Sequence, residues 1–158
     1  MTDRLWLGED FDEASTAPLN FIETRLHDLS PFSAHEVVLD GVVYKTAEHA
    51  YQAGRVTREC AEKIRAARSP LDAWRIAQQA KKDNQITEHD KDALMERIFR
   101  AKLAQHEDVR RVLLCTKDRE LKKVFDTDYY WGTGADGSGQ NRMGLLWMKL
   151  RTELRNQQ

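Results

Sequence analysis

Helical hydrophobic periodicity covers most of the chain, and short β-branched runs interrupt it. The run from His35 to Tyr44 is split by Asp40-Gly41, a dipeptide typical of a two-residue hairpin turn. Weaker alternation at 19–26 and 120–125 indicates two further short strands. The predicted fold class is therefore α+β: a helix-dominated single domain with a small β-hairpin or sheet element.

Capping residues mark where the predicted helices begin. Thr46 is a predicted N-cap, and the helix after it is expected to run to about Arg58, with helical pattern continuing to Ala67. Ser69 followed by Pro70 restarts the chain as N-cap and first helical residue. Further helices are expected after Thr87, around Val109–Leu113 and after Asn141, which is predicted to cap the last helix.

A lysine lies on the apolar stripe of the helix that follows Thr87. Lys102 comes four residues after Ile98 and seven after Met95, so it shares their face. One interpretation is that its amine snorkels to water. The other is that the amine works inside the protein, where a desolvated lysine loses pKa and can become a nucleophile toward a sugar carbon.

A glutamate stands in the first turn of the helix predicted after Thr46. Glu48 there complements the helix dipole, which is a structural interpretation, or lies ready for proton transfer, which is a functional one. Gln52 is four residues on and is expected on the same face.

The most unusual stretch runs from Tyr129 to Gly144. It holds five of the eight glycines, opens with aromatic residues and carries Asp136 in its middle. This composition is typical of a ligand-binding loop, because glycine permits close approach of backbone to a ligand. A long connection built from turn residues is the alternative.

The spacing in this loop excludes several known binding motifs. It lacks the bidentate glutamate of an EF-hand, the Gly-Lys-Ser/Thr of a Walker loop and the leading strand of a Rossmann fingerprint. Glycine-rich backbone that runs into a helix start near Arg142 instead suits a phosphate or diphosphate. Trp131 and its two preceding tyrosines offer ring faces for a base or sugar.

Composition narrows the class of protein. The 158 residues carry a net charge of −1, which gives no standing reason to bind nucleic acid or an anionic membrane. Cys60 and Cys115 suit a reducing, cytoplasmic setting, and no apolar run approaches the roughly 20 residues that span a bilayer. Residues 1–18 are expected to form a loosely ordered arm and 19–158 the domain. No two of the following histidines are at metal-ligand spacing in the sequence, so no metal site is predicted: His27, His35, His89 and His106.

Four segments together resemble the NADAR superfamily, which includes YbiA-like N-glycosidases. Their order and separations agree with the family across roughly residues 31–151. The segments are Pro31-Phe32-Ser33 with Leu39-Asp40-Gly41, Thr46 to Ala53, Leu94-Met95 through Ala101-Lys102-Leu103, and Asp128 to Leu146. The last is similar to the family's Asp-x-x-Trp-Gly-x-Gly…Gly-x-Asn-x-x-Gly signature.

The resemblance implies a hydrolase that breaks an N-glycosidic bond in a ribosylated heterocycle. The substrates it implies are ADP-ribose on guanine, including guanine in nucleic acid, or phosphoribosylamino-pyrimidine intermediates of riboflavin synthesis. No cofactor or metal is implied, and no stable nucleic-acid partner or membrane is expected. The implied catalytic residues are Glu48 for proton transfer, Lys102 as nucleophile or charge stabiliser, and Asp136. The implied substrate-binding residues are Phe32, His49, Gln52, Arg55, Trp131, Gly132, Gly134, Gly137 and Asn141.

The chain also departs from the family pattern. Arg55 stands where the family often has lysine, and Glu88, His89 or Asp90 where it has tryptophan. Lys123 replaces an acid ahead of the glycine-rich loop, which favours a more anionic substrate. These departures leave one alternative open, a non-catalytic module that binds ADP-ribose or a nucleotide.

Overall fold

The computed structural model describes residue 12 and residues 14–22 and 24–158. Most of the predicted N-terminal arm lies outside these described residues. The chain divides into two compact units, one formed by residues 31–106 and the other by residues 1–30 with 107–158.

The 31–106 unit begins with the predicted hairpin and continues with four helices. Strands β2 (Val37–Leu39) and β3 (Val42–Tyr44) pair antiparallel around a turn in which Asp40 and Gly41 have φ of 51° and 79°. These positive angles match the right-handed twist of the strands, as the Asp-Gly dipeptide predicts. The helices are α1 (Ala47–Ala53), α2 (Arg58–Ala66), α3 (Pro70–Lys82) and α4 (Lys91–Gln105).

Side-chain caps set the starts of three of these helices. The Thr46 hydroxyl accepts from the His49 N–H, and the Ser69 hydroxyl accepts from the Asp72 N–H at 3.0 Å. Asp90 caps α4 by accepting from the Ala93 N–H. Both predicted caps at Thr46 and Ser69 are therefore confirmed, and Asp90 supplies the cap of α4.

The first predicted helix is too long. Helix α1 ends at Ala53, because the next residues leave the helix to make a bridge: Val56 pairs with Ile86, and the Arg55 carbonyl accepts from the Thr87 N–H at 2.7 Å. The backbone groups of this segment are thus satisfied across the chain rather than within a helix.

A small-residue core holds α1, α2 and α3 together. It consists of buried Ala53, Val56, Ile64, Ala67, Ala73, Ala77 and Ala80. Alanines at these positions let the helix backbones approach closely, so the unit packs tightly around a short helix. All seven residues of α1 are buried.

The second unit is built on a parallel strand pair and two helices. Strand β1 (Leu19–Asn20) pairs with β4 (Leu121–Lys122), and a 3₁₀ turn covers His27–Leu29. Helices α5 (Glu107–Cys115) and α6 (Arg142–Asn156) complete it. Both strands fall in the predicted regions but are shorter than predicted.

One buried tryptophan ties the last helix to the 3₁₀ turn. Trp147 is 0% exposed, and its indole N–H donates to the Leu29 carbonyl at 2.8 Å. A buried indole needs such a partner, so the contact fixes the register of α6.

The predicted α+β, helix-dominated class is confirmed. The described part of the chain has six α-helices and two small two-stranded sheets. None of these helices is long and apolar enough to cross a membrane.

Candidate active site

Glu48 is a buried carboxylate with a defined donor. It lies in the first turn of α1 and is 6% exposed. Its backbone N–H donates to the Pro31 carbonyl at 3.0 Å, which anchors the helix start to the turn before the hairpin. Its Oε1 accepts from Gln52 Nε2 at 2.7 Å, so the predicted shared face of Glu48 and Gln52 is confirmed.

The same polar chain continues to a residue far away in sequence. Arg55 donates from an Nη to Gln52 Oε1 at 3.0 Å and from Nε to Glu88 Oε1 at 3.0 Å. Its guanidinium also lies over the Tyr51 ring, 5.1 Å from the centroid. Glu88 Oε2 is buried and has no hydrogen-bond partner. The sequence marked Arg55 and Glu88 as departures but carried no signal that they pair.

Lys102 does not snorkel. It is 0% exposed, and its Nζ donates to the Ser33 hydroxyl at 2.6 Å. Ser33 Oγ in turn lies 2.7 Å from His35 Nδ1. The amine is therefore held inside the protein by a serine, and the interpretation that it reaches water is wrong.

Two histidines near this lysine were missed by sequence reasoning. The His35 and His106 rings meet edge to face, 4.8 Å between centroids, although 71 positions separate them in the chain. His106 Nε2 bonds to the Glu36 carbonyl. Spacing along the sequence could not reveal this pair, since the hairpin and the end of α4 bring it together.

Both ring nitrogens of His49 are hydrogen-bonded within the protein. It is 0% exposed, with Nε2 bonded to the Ala67 carbonyl at 3.0 Å and Nδ1 to the Thr46 hydroxyl at 2.8 Å. A carbonyl only accepts, so Nε2 carries the proton and Nδ1 accepts from the hydroxyl. Burial, together with the charge of Lys45, lowers the pKa of His49 despite the Ala67 bond. Contact of this ring with substrate remains a prediction.

The glycine-rich loop closes mainly on itself. The N–H groups of Thr133, Gly134, Gly139 and Gln140 all donate to backbone carbonyls of residues 123–133. At the start of α6, the Arg142 and Met143 N–H groups donate to the Tyr130 and Trp131 carbonyls. The amides named here were expected to cradle a phosphate, but they already donate to backbone carbonyls. Phosphate binding by the loop remains a prediction.

Two residues of the loop hold backbone conformations that its path requires. Gly134 has φ of +69°, and a side chain there would collide with the Tyr129 ring. Asn141 has φ of 49° and precedes α6, but its side chain makes no cap. Instead Nδ2 donates to the Leu121 carbonyl and Oδ1 accepts from the Lys123 N–H, at 2.9 and 3.0 Å. Asn141 therefore occupies the predicted N-cap position, but its side-chain amide ties the loop to β4 instead of capping the helix.

Asp128 organises the loop entrance. Its Oδ1 accepts from the Tyr130 and Trp131 N–H groups, and its Oδ2 accepts from Lys123 Nζ at 2.6 Å. Burial acts to raise the pKa of Asp128, but the Lys123 hydrogen bond and charge and the two backbone donors outweigh it and lower the pKa. Lys123, the charge reversal noted in the sequence, is thus a partner of this carboxylate.

Asp136 lies at the exposed tip of the loop. Its Oδ1 accepts from the Ser138 hydroxyl at 2.7 Å and from the Ser138 N–H at 3.0 Å. These bonds lower the pKa of Asp136, so the side chain is ionised at neutral pH and has no proton to give. Its place in catalysis remains a prediction, with hydrogen-bond acceptance as the role open to it.

The remaining predicted binding residues differ in exposure. Trp131 is 9% exposed and packs edge-on against Tyr130, with centroids 5.0 Å apart. Phe32 is 37% exposed on the turn before the hairpin. Substrate contacts of both, and of Gly132, Gly134 and Gly137, remain predictions.

Comparison with known proteins gives one consistent result. The family model described as the NADAR domain matches residues 20–155. The chain is 36% identical over 140 residues to the N-glycosidase YbiA of Escherichia coli, covering 86% of this chain and 88% of that protein. It is 33% identical over 135 residues to an N-glycosidase of Nostoc punctiforme, covering 80% and 85%.

Two further relatives extend the comparison. The NMR structure of Escherichia coli YbiA matches with a TM-score of 0.79 at 32% identity, covering 90% of this chain and 88% of that one. A chloroplastic riboflavin biosynthesis protein of Zea mays is 30% identical over 145 residues, which span 79% of this chain but 23% of that protein.

The lowered pKa of His49 predicts a stability that depends on pH. Neutral His49 is favoured in the folded state, so its contribution is complete above the ordinary value of 6.5 and declines as pH falls below that value. In thermal melts from pH 8 to pH 5, His49→Gln should remove part of the wild-type decline in Tm. The exposed-site variant His89→Gln is the control. Identical pH slopes for wild type and His49→Gln would contradict the assignment.

Replacing Asp128 by asparagine should loosen the loop entrance. Asparagine keeps one acceptor oxygen but loses the pairing with Lys123, so unfolding should become easier by about 1–3 kcal/mol at pH 7. Because the pKa of Asp128 is lowered, this difference should shrink as pH falls below the ordinary value of 3.8. Urea unfolding measures it, with the exposed Asp126→Asn as control. An equal loss in both variants argues against the role.

Proposed function

Because the chain belongs to the NADAR family, we propose that it is a hydrolase that cleaves the N-glycosidic bond of a ribosylated heterocycle. The observation that carries this proposal is the burial of a carboxylate and an amine, Glu48 and Lys102, on two helices of one unit. Helices α1 and α4 pack against each other. Burial of such groups is energetically costly. Their retention on neighbouring helices therefore supports a chemical role for them.

Cleavage of an N-glycosidic bond gives both Glu48 and Lys102 a chemical role. Cleavage leaves positive charge at the anomeric carbon and negative charge on the departing nitrogen. We assign Glu48 the proton transfer to that nitrogen. Lys102, as the neutral amine, then attacks the anomeric carbon in place of the departing base and forms a glycosylamine. The ring oxygen leaves that carbon and takes up a proton, so the open-chain sugar is held on Lys102 as a Schiff base until water hydrolyses the imine and releases the sugar. This reaction needs no metal or redox cofactor.

The substrate class follows from the relatives and from the charges of this chain. Its relatives include proteins named as an N-glycosidase and as a riboflavin biosynthesis protein. We therefore propose ADP-ribosylated guanine or a phosphoribosylamino-pyrimidine as substrate, with nucleic acid engaged only as its carrier. The free cysteines Cys60 and Cys115 support a cytoplasmic location.

The direct test is release of the free base. Purified protein is incubated with ADP-ribosylated guanosine and, separately, with phosphoribosylamino-pyrimidines, and the products are separated by chromatography. Free base from either substrate is the expected result. Binding without any release from folded protein would instead identify the non-catalytic nucleotide-binding module.

Glu48→Gln should lower turnover by about 100-fold or more, the scale of general acid–base catalysis. Glutamine is isosteric and still accepts from Gln52 Nε2, so the fold should survive, which circular dichroism checks. The exposed Glu59→Gln, on α2, is the matched control and should retain full turnover. Unchanged turnover in Glu48→Gln would exclude proton transfer by this residue.

The Schiff base can be trapped on Lys102. Borohydride added during turnover should reduce the imine and leave the sugar on one peptide, which mass spectrometry assigns to Lys102. Lys102→Met should lose the adduct, whereas the exposed Lys81→Met should keep it. An active enzyme that yields no adduct, or an adduct on another lysine, would refute the covalent step.

A further inference from the structure

We propose that Arg55 is a positioning residue that fixes the orientation of the Gln52 amide toward Glu48. The inference rests on the proposed function, since it concerns the carboxylate assigned to proton transfer. It starts from the unbroken chain of side-chain hydrogen bonds from Glu48 through Gln52 and Arg55 to Glu88.

The polarity of this chain allows one amide orientation. A guanidinium has donors only, and an ionised carboxylate has acceptors only. Gln52 lies between them, so its oxygen must face Arg55 and its nitrogen must face Glu48. A flipped amide would point N–H at a donor and oxygen at a carboxylate, and it would lose both bonds.

Without Arg55, only the carboxylate would orient the amide, and it would cease to do so whenever Glu48 is protonated. A flipped Gln52 could then accept a hydrogen bond from the protonated form of Glu48 and hold that proton. With Arg55 in place, Gln52 donates to Oε1 at 2.7 Å. The donor keeps Oε1 unprotonated, and the transferable proton is assigned to Oε2.

Arg55 is itself held firmly enough to impose this orientation. Glu88 Oε1 accepts from its Nε at 3.0 Å, and the side chains are only 16% and 13% exposed. The Tyr51 ring supports the guanidinium from one side. Arg55 also anchors the segment that follows α1, because its carbonyl accepts from the Thr87 and Glu88 N–H groups. The pair therefore spans the bridge at Val56 and Ile86 with both backbone and side-chain bonds.

Steady-state kinetics of three variants test the assignment. Arg55→Met should lower kcat about tenfold or more and leave KM within about twofold, since it affects proton transfer without removing a substrate contact. Arg55→Lys should recover most of kcat, because an ammonium also only donates to Gln52. Arg58→Met, an exposed arginine three residues on, is the matched control and should behave as wild type.

Other outcomes would overturn the inference. A raised KM with unchanged kcat in Arg55→Met would make Arg55 a substrate contact. Equal losses in Arg55→Met and Arg55→Lys would show that donor polarity is not what matters. If Arg55→Met fails to fold, Gln52→Glu replaces it: this variant keeps an acceptor for Arg55 but removes the donor to Glu48, and undiminished kcat would refute the idea.

A spectroscopic measurement separates this inference from the proposed function. In ¹⁵N-labelled protein, nuclear Overhauser effects should connect the Gln52 side-chain amide protons to Glu48 in wild type and Arg55→Lys, and they should weaken in Arg55→Met. Wild type that releases no base would refute the proposed function and still leave this result readable. An effect that persists unchanged in Arg55→Met would refute the positioning role.

Discussion

The burial of charged groups in the 31–106 unit is the constraint on which its arrangement depends. A carboxylate and an amine placed out of water are costly unless every remaining donor and acceptor is met. Glu48 receives a hydrogen bond from Gln52, and Lys102 donates to Ser33. The turn before the hairpin therefore has two roles: the Pro31 carbonyl anchors the start of α1, and the Ser33 hydroxyl holds the Lys102 amine.

The other unit solves a different problem, which is to order a loop with little secondary structure. Its glycines first allow the chain to fold back on itself, so that loop amides bind loop carbonyls. At the start of the loop the Asp128 carboxylate accepts from the Trp131 N–H, and at its end the Asn141 amide donates to the Leu121 carbonyl of β4. Such internal bonding offsets the entropy that a glycine-rich segment loses on ordering.

Two residues that depart from the family pattern form an ion pair with each other. Arg55 and Glu88 are 33 positions apart and are unremarkable when considered singly, yet they form one largely buried ion pair. Removing either partner would leave the other charge unpaired in this setting, which would be destabilising. This pairing connects a difference in sequence to the carboxylate that the proposed reaction uses.

Local patterns were sufficient for the elements whose causes are local. The Asp40-Gly41 turn, the Thr46 and Ser69 caps and the shared face of Glu48 and Gln52 follow from residues close in sequence, and the structure has them. Family membership was likewise visible in the spacing of motifs. Tertiary structure alone decided the end of α1 at the Val56–Ile86 bridge, the partner of Lys102, the ion pair of Arg55 and the use of the loop amides. Each of these depends on a hydrogen bond or pairing between segments distant in sequence or folded back on themselves, and the period of a pattern carries no information about such a partner.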